Sequence, residues 1–114
     1  MPIGGENNMT DFEQTGDGRI VAVNLSSHKG VKKTNIPQDT LVENYGLEND
    51  AHAGDLHRQV SLLAMESLIK IRGKGLDVNP GDFSENITTE GIKLWALPLG
   101  ARLKLGEDAL VEVA

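Results

Sequence analysis

Alternation of apolar and polar positions becomes regular at "GRIVAVNLSS", Gly18 to Ser27. Ile20, Ala22 and Asn24 fall on one face and Val21, Val23 and Leu25 on the other, which predicts a strand buried on much of both faces. "SSHKGVKKTNIPQD" has no such period and is broken by Gly30 and Pro37, so a long loop is expected there. "TLVENYGLEND" reads either as a short helical turn or as a strand closed by Asn49 and Asp50. "RQVSLL" reads as a strand with Val60 and Leu62 on one face. "AMESLIKIRGKG" carries the helical signal: Met65, Leu68, Ile69 and Arg72 recur at helical spacing, and Glu66 precedes Lys70 by four positions. Gly73 is the expected left-handed cap. "VNPGD" is a turn, "FSENITTEGI" is β-prone, and "ARLKLGEDALVEV" is a hairpin in which Ala101, Leu103 and Leu105 alternate with Arg102 and Lys104. Residues 1–18 show little periodicity and are expected to form a flexible tail, leaving 19–114 as one domain. The expectation is a mainly β fold with one or two helices, a barrel or sandwich with a helical insert. Because "LVEVA" stops in or just after a strand, either a second chain completes the sheet or the domain is a shortened one.

Composition narrows the classes. At 114 residues, 39% apolar and 25% charged, the chain supports one core. Its four aromatics leave that core to Val, Ile, Leu and Ala. Apolar runs are far shorter than the roughly 20 residues of a membrane helix, and "MPIGGENNMTDFEQTGDG" lacks the regions of a signal peptide. A cytoplasmic protein is expected. There is no cysteine, which removes disulfides, thiolate metal sites and a cysteine nucleophile from this chain. The net charge of −6 argues against nucleic acid as the main partner. Yet Gly18 to Gln38 contains no acid and carries Arg19, Lys29, Lys32 and Lys33. A basic segment in an acidic protein suits a small anion, or is simply an exposed loop.

Three clusters could carry chemistry. Asp50, His52, Asp55 and His57 could ligate zinc on paper. Gly46, Gly54 and the turn residues place them on an irregular loop without a helical His-x-x-x-His pair, which favours a hydrogen-bonded cleft rim over a metal site. Arg58 stands where an apolar strand begins; its planar fork suits a carboxylate or phosphate ligand, or a salt bridge to Asp50 or Asp55. "SENITTEG" sends Ser84, Asn86 and Thr88 to one strand face, either a hydrogen-bonding surface for a heterocycle or a merely solvated one. No nucleophile elbow, P-loop or dinucleotide fingerprint is present.

Four segments in order, "GRIVAVNLSSHKGVKKT", "GLENDAHAGDLHRQVSLL", "FSENITTEGI" and "LPLGARLKLGEDALVEV", strongly resemble the MOSC domain, the C-terminal domain type of molybdenum cofactor sulfurase also found as small stand-alone bacterial proteins. The resemblance implies a β-barrel related to that of pyruvate kinase, incomplete or completed by a second chain. It implies binding of the pterin phosphate of molybdenum cofactor, in cofactor handling or sulfur transfer, with pyridoxal phosphate binding also a family-level association. Alternatives are a molybdenum-dependent reductase of N-hydroxylated compounds and a non-catalytic interaction barrel. Carried over, Ser27, Lys29 and Lys33 would sit near the phosphate and Arg58 would add an anion contact. Asn86 and Thr88 would line the pterin side, with His52 and His57 as the cleft wall and no metal ligand among them. The expected partners are a small anionic pterin and a homodimer mate or partner protein closing the sheet, not nucleic acid or membrane. Family members that hold or sulfurate molybdenum use a cysteine beyond the strand matching "ALVEV"; this sequence has none.

Overall fold

The strand foreseen in "GRIVAVNL" is the longest in the protein and organises the rest. The computed structural model describes residues 2–11, 17–28, 32–51, 53–54, 59–106 and 109–114. In chain order the strands are β1 (Pro2–Gly4), β2 (Asn8–Asp11), β3 (Asp17–Leu25), β4 (Thr34–Ile36), β5 (Gln38–Val42), β6 (Gly46–Leu47), β7 (Leu62–Ala64), β8 (Ile87–Glu90), β9 (Arg102–Leu105) and β10 (Ala109–Glu112). Helix α1 (Met65–Arg72) lies between β7 and β8, and a single 3-10 turn spans Leu94–Ala96. One sheet runs β10-β9-β2-β3-β8-β7, with β4 also on β3; a second runs β1-β5-β6. The fold is mainly β with one helix, and the larger sheet curls into a half-barrel. No helix among the described residues is long and apolar enough to cross a membrane.

β3 is shared by three partners. Its first residues pair with β2, its middle with β8 and its last with β4, where Val23 faces Ile36 and Leu25 faces Thr34. Between Ile20 and Ala22 the register to β8 slips, leaving Val21 as an extra residue that bends the strand. Ile20, Val23 and Asn24 are wholly buried, as double-sided burial of β3 predicts. Around them Ile3, Met9, Leu47, Ile87 and Leu103 close a core between the two sheets.

β7 and β8 are parallel, Leu62 opposite Ile87 and Ala64 opposite Thr89. A parallel pair needs a crossover, and α1 supplies it. The helix buries Leu68 against the sheet and leaves Ile69 exposed. Its expected left-handed cap moves two residues: Gly73 stays right-handed, donating to Ile69 O, and Gly75 takes the positive φ of 93°. The C-terminal hairpin is as expected, with Leu103 and Leu105 buried and Arg102 and Lys104 exposed.

Two expectations are corrected. Residues 2–4 and 8–11, read as part of a flexible tail, are β1 and β2; Ile3 and Met9 are only 1% exposed and pin them to the core. The stretch read as an unbroken loop after Leu25 contains β4, and "TLVENYGL" resolves into the antiparallel hairpin β5–β6. Gly46 opens β6 just after that hairpin's turn with φ 120°, and a side chain there would run into the Gln59 carbonyl.

Candidate functional site

Where β3 ends, a buried carboxylate gathers three chain segments. Asp50 follows the β6 turn, its N–H donating to Leu47 O at 3.1 Å. Its Oδ1 accepts from the Ser26 N–H at 3.0 Å and from Lys33 Nζ at 2.8 Å. Its Oδ2 accepts from Asn86 Nδ2 at 3.0 Å. The side chains of Lys33 and Asp50 are 4% and 1% exposed. Burial by itself would raise the Asp50 carboxyl pKa, but the Lys33 ammonium, the Ser26 N–H and the Asn86 amide outweigh it and hold it below its ordinary value. The Ala51 N–H donates to Ser26 O at 2.7 Å, so the chain after β3 and the chain after β6 are tied twice.

From Asn86 the polar network continues inward. Asn86 Oδ1 accepts from the Ser61 N–H at 3.1 Å, and Nδ2 also donates to Asn24 O at 3.2 Å. Asn24 Nδ2 donates to Thr88 Oγ1 at 3.1 Å and to Glu85 O at 3.2 Å. Thr88 Oγ1 in turn donates to Glu85 Oε2 at 2.9 Å, and the other Glu85 oxygen accepts from the Phe83 N–H. Asn35 Nδ2 donates to Asn24 Oδ1, which links β4 to the same cluster. On the rim, Lys32 pairs with Asp82 at 2.9 Å. That ammonium, and then the Asn79 N–H, hold the Asp82 carboxyl low. Gly81 approaches Lys33 O and Asn24 so closely, at φ 94°, that the turn needs glycine.

Of the residues proposed from sequence, the structure brings Lys33 and Asn86 onto one carboxylate and joins Thr88 to them through Asn24. Ser27 is exposed beside them. Lys29, His52, His57 and Arg58 lie outside the described residues. Asn86 and Thr88, expected to line a pterin pocket, are 4% and 0% exposed with each side-chain nitrogen and oxygen paired inside the protein. They are frame, not lining: β8 is buried on both faces over Ile87, Thr88 and Thr89, and Asn86 immediately precedes it. Ser84 does not share their face; it sits in a turn at φ 60°. Lys33 is likewise committed, its charge met by Asp50.

Asp50 was a candidate metal ligand or partner of Arg58, yet both its oxygens are taken by Ser26, Lys33 and Asn86. Among the described residues no group of three or more potential metal-ligating side chains converges. Sequence spacing places Asn24 on a strand and pairs Asp50 with its sequence neighbours, and carries no signal for their meeting with Lys33 and Asn86 in one buried network. A separate trough of about 1070 Å³ with mixed polar and apolar walls opens between the β5–β6 hairpin and β9–β10, its lining including Leu41, Glu43, Gln59, Leu97, Leu103 and Val111. Neither Ser27, Lys33, Asn86 nor Thr88 lines it.

The family model described as MOSC domain matches residues 49–114, more than half of the chain. The chain belongs to the MOSC domain family. The match holds Asp50, Asn86 and Thr88, so the carboxylate and its Asn86 donor lie within the MOSC region, and Ser26 and Lys33 reach it from outside. No curated protein and no solved structure matches the chain. MOSC membership brings an association with molybdenum cofactor at the level of the family. An anionic pterin calls for uncommitted donors. Among the described residues next to the network, the Ser27 and His28 side chains face solvent and are of the right kind for its phosphate. For the molybdenum itself, the 114 residues offer no thiolate.

Proposed function

We propose that this MOSC domain is a binding module in molybdenum-cofactor handling that holds the cofactor, or its pterin precursor, by the phosphate. Ser27, Lys29, His52, His57 and Arg58 would make the contacts, and Lys33, Asp50, Asn86 and Thr88 would hold the backbone that presents them. The observation that carries this reading is the meeting of Ser26, Lys33 and Asn86 on the Asp50 carboxylate, which ties the flank of the basic segment to the flank of the histidine-rich one. When bound, the cofactor itself would supply the molybdenum-centred chemistry. The chain's own part is to bind and orient an anion, since it has no cysteine to carry sulfur. A cytoplasmic setting accords with the sequence.

Calorimetric titration with a phosphorylated pterin tests the reading. Wild type binds, and Arg58→Ala and Lys29→Ala each weaken binding about tenfold, the worth of one charge-assisted hydrogen bond. Equal affinity in all three rejects the assigned surface.

A second reading is an interaction barrel that takes a strand from another copy of the chain, favoured by the open trough along β9–β10. Light scattering on the eluting protein decides it: a monomer at micromolar concentration removes it.

A further inference from the structure

We infer that the open edge of β10 takes up an extended segment of another protein, one in which apolar and basic side chains alternate. The inference rests on the interaction-barrel reading above, is independent of the cofactor reading, and replaces the second copy of the chain by a strand of stated chemistry. β10 ends the larger sheet and, among the described residues, pairs with β9 alone. The Val113 N–H donates to Ala101 O at 2.8 Å, and hydrogen bonding alternates along an antiparallel ladder. Val111, opposite Leu103, therefore turns its main chain toward β9, and the N–H and C=O groups of Leu110 and Glu112 point away from it. Edges that are kept from pairing carry lysine, proline, a bulge or several charges. The single charge of β10 is Glu112, and beside it Leu110 is 52% exposed.

The trough runs next to this edge. Leu41, Leu97, Leu103 and Val111 supply its apolar walls and Glu43 and Glu112 its ionisable groups; no basic residue lines it. A strand laid antiparallel along β10 sends every second side chain inward beside Val111 and the others outward beside Leu110 and Glu112. Apolar inward side chains cover the leucines of the trough, and a lysine or arginine opposite Glu112 makes a cross-strand ion pair. Arg102 reaches the Glu112 carboxylate at 3.6 Å with both side chains 61% exposed, which leaves the carboxylate able to share a second cation. A second copy of β10 fits less well. In the register between copies that engages both outward residues, Leu110 lies opposite Glu112 and Glu112 opposite Leu110, so neither gains a complementary neighbour.

The test uses the whole chain, 15N-labelled, and blocked peptides of about six residues, the length of an ordinary strand, in which valine alternates with lysine or with glutamate. Light scattering is recorded on the free protein, and amide shifts are followed up to about 1 mM peptide. The inference predicts a monomer whose Leu110 and Glu112 amides shift and exchange more slowly with the lysine peptide, the glutamate peptide binding about threefold more weakly or worse. Leu110→Pro deletes the outward N–H without touching the ladder to β9 and abolishes binding. Glu112→Lys, a change at the surface, reverses the preference between the two peptides. Equal affinity for both peptides, or wild-type affinity in Leu110→Pro, overturns the inference. A dimer of the free protein with protected β10 amides gives the edge to a second copy and also overturns it, while the interaction-barrel reading stands. A monomer in which neither peptide shifts β10 overturns both.

Discussion

Replacing Asn86 by alanine separates a framing role from a ligand-contacting one. The truncation removes the acceptor for the Ser61 N–H and the donors to Asn24 O and Asp50 Oδ2. Ser61 lies at the surface, so its N–H can turn to water. The Asn24 carbonyl and the Asp50 oxygen are buried and lose a partner outright. Each such orphaned group costs about 1–3 kcal/mol, and the carboxylate lies toward the upper end, giving about 4 kcal/mol in all. That is a large share of the roughly 5–15 kcal/mol that holds a domain together. With a urea slope of about 1.5 kcal/mol/M for a small domain, the unfolding midpoint falls by roughly 2–3 M. Urea titration followed by far-UV circular dichroism measures it. A loss below about 1 kcal/mol, the worth of a single ordinary hydrogen bond, refutes the frame, the more so if pterin binding disappears at the same time.

Three further outcomes follow from the same structure. The Asp50 carboxyl is held low in the folded protein, so its contribution is complete above the unfolded value of about 3.9 and lost as pH falls through the depressed folded value. Urea midpoints between pH 6 and pH 2 should therefore drop steeply below about pH 4 in wild type and less steeply in Asp50→Asn, and parallel curves contradict the assignment. Gly81→Ala places a Cβ 3.2 Å from Lys33 O at φ 94°, and thermal unfolding should show a loss of about 1–3 kcal/mol; an unchanged midpoint contradicts the strain argument. Arg19→Ala cuts exposed pairs to Glu6 and Glu90 and should cost less than about 1 kcal/mol, shrinking further in salt.

Elements with a dense repeating signal were legible in the sequence, and those held by one or two anchor residues were not. β3, α1 and the β9–β10 hairpin each carry several apolar positions at a constant period. β1 and β2 carry one buried anchor apiece, Ile3 and Met9, among polar neighbours, which no window distinguishes from a tail. β4 is three residues between lysines and Pro37, and forms because the end of β3 offers it a partner. "IRGKG" contains two glycines, and only the backbone decides that Gly73 continues the right-handed turn and Gly75 leaves it.

The candidate site divides in the same way. Lys33 and Asn86 were chosen together by resemblance, and they do meet, but through a carboxylate that spacing had paired with its sequence neighbours. Lys33 and Asp50 are 17 positions apart, beyond any local rule. A polar strand face reads identically whether water or a buried network satisfies it; three-dimensional partners make Asn86 and Thr88 internal.

The central claim, that Asp50 gathers Ser26, Lys33 and Asn86 on one buried carboxylate, is tested most directly by NMR. A through-hydrogen-bond correlation experiment on uniformly 13C,15N-labelled protein looks for coupling between the Ser26 amide nitrogen and the Asp50 side-chain carboxyl carbon. The account predicts that cross-peak in wild type and its loss in Asp50→Ala. A Ser26 amide that exchanges freely with water and shows no coupling to Asp50 contradicts it.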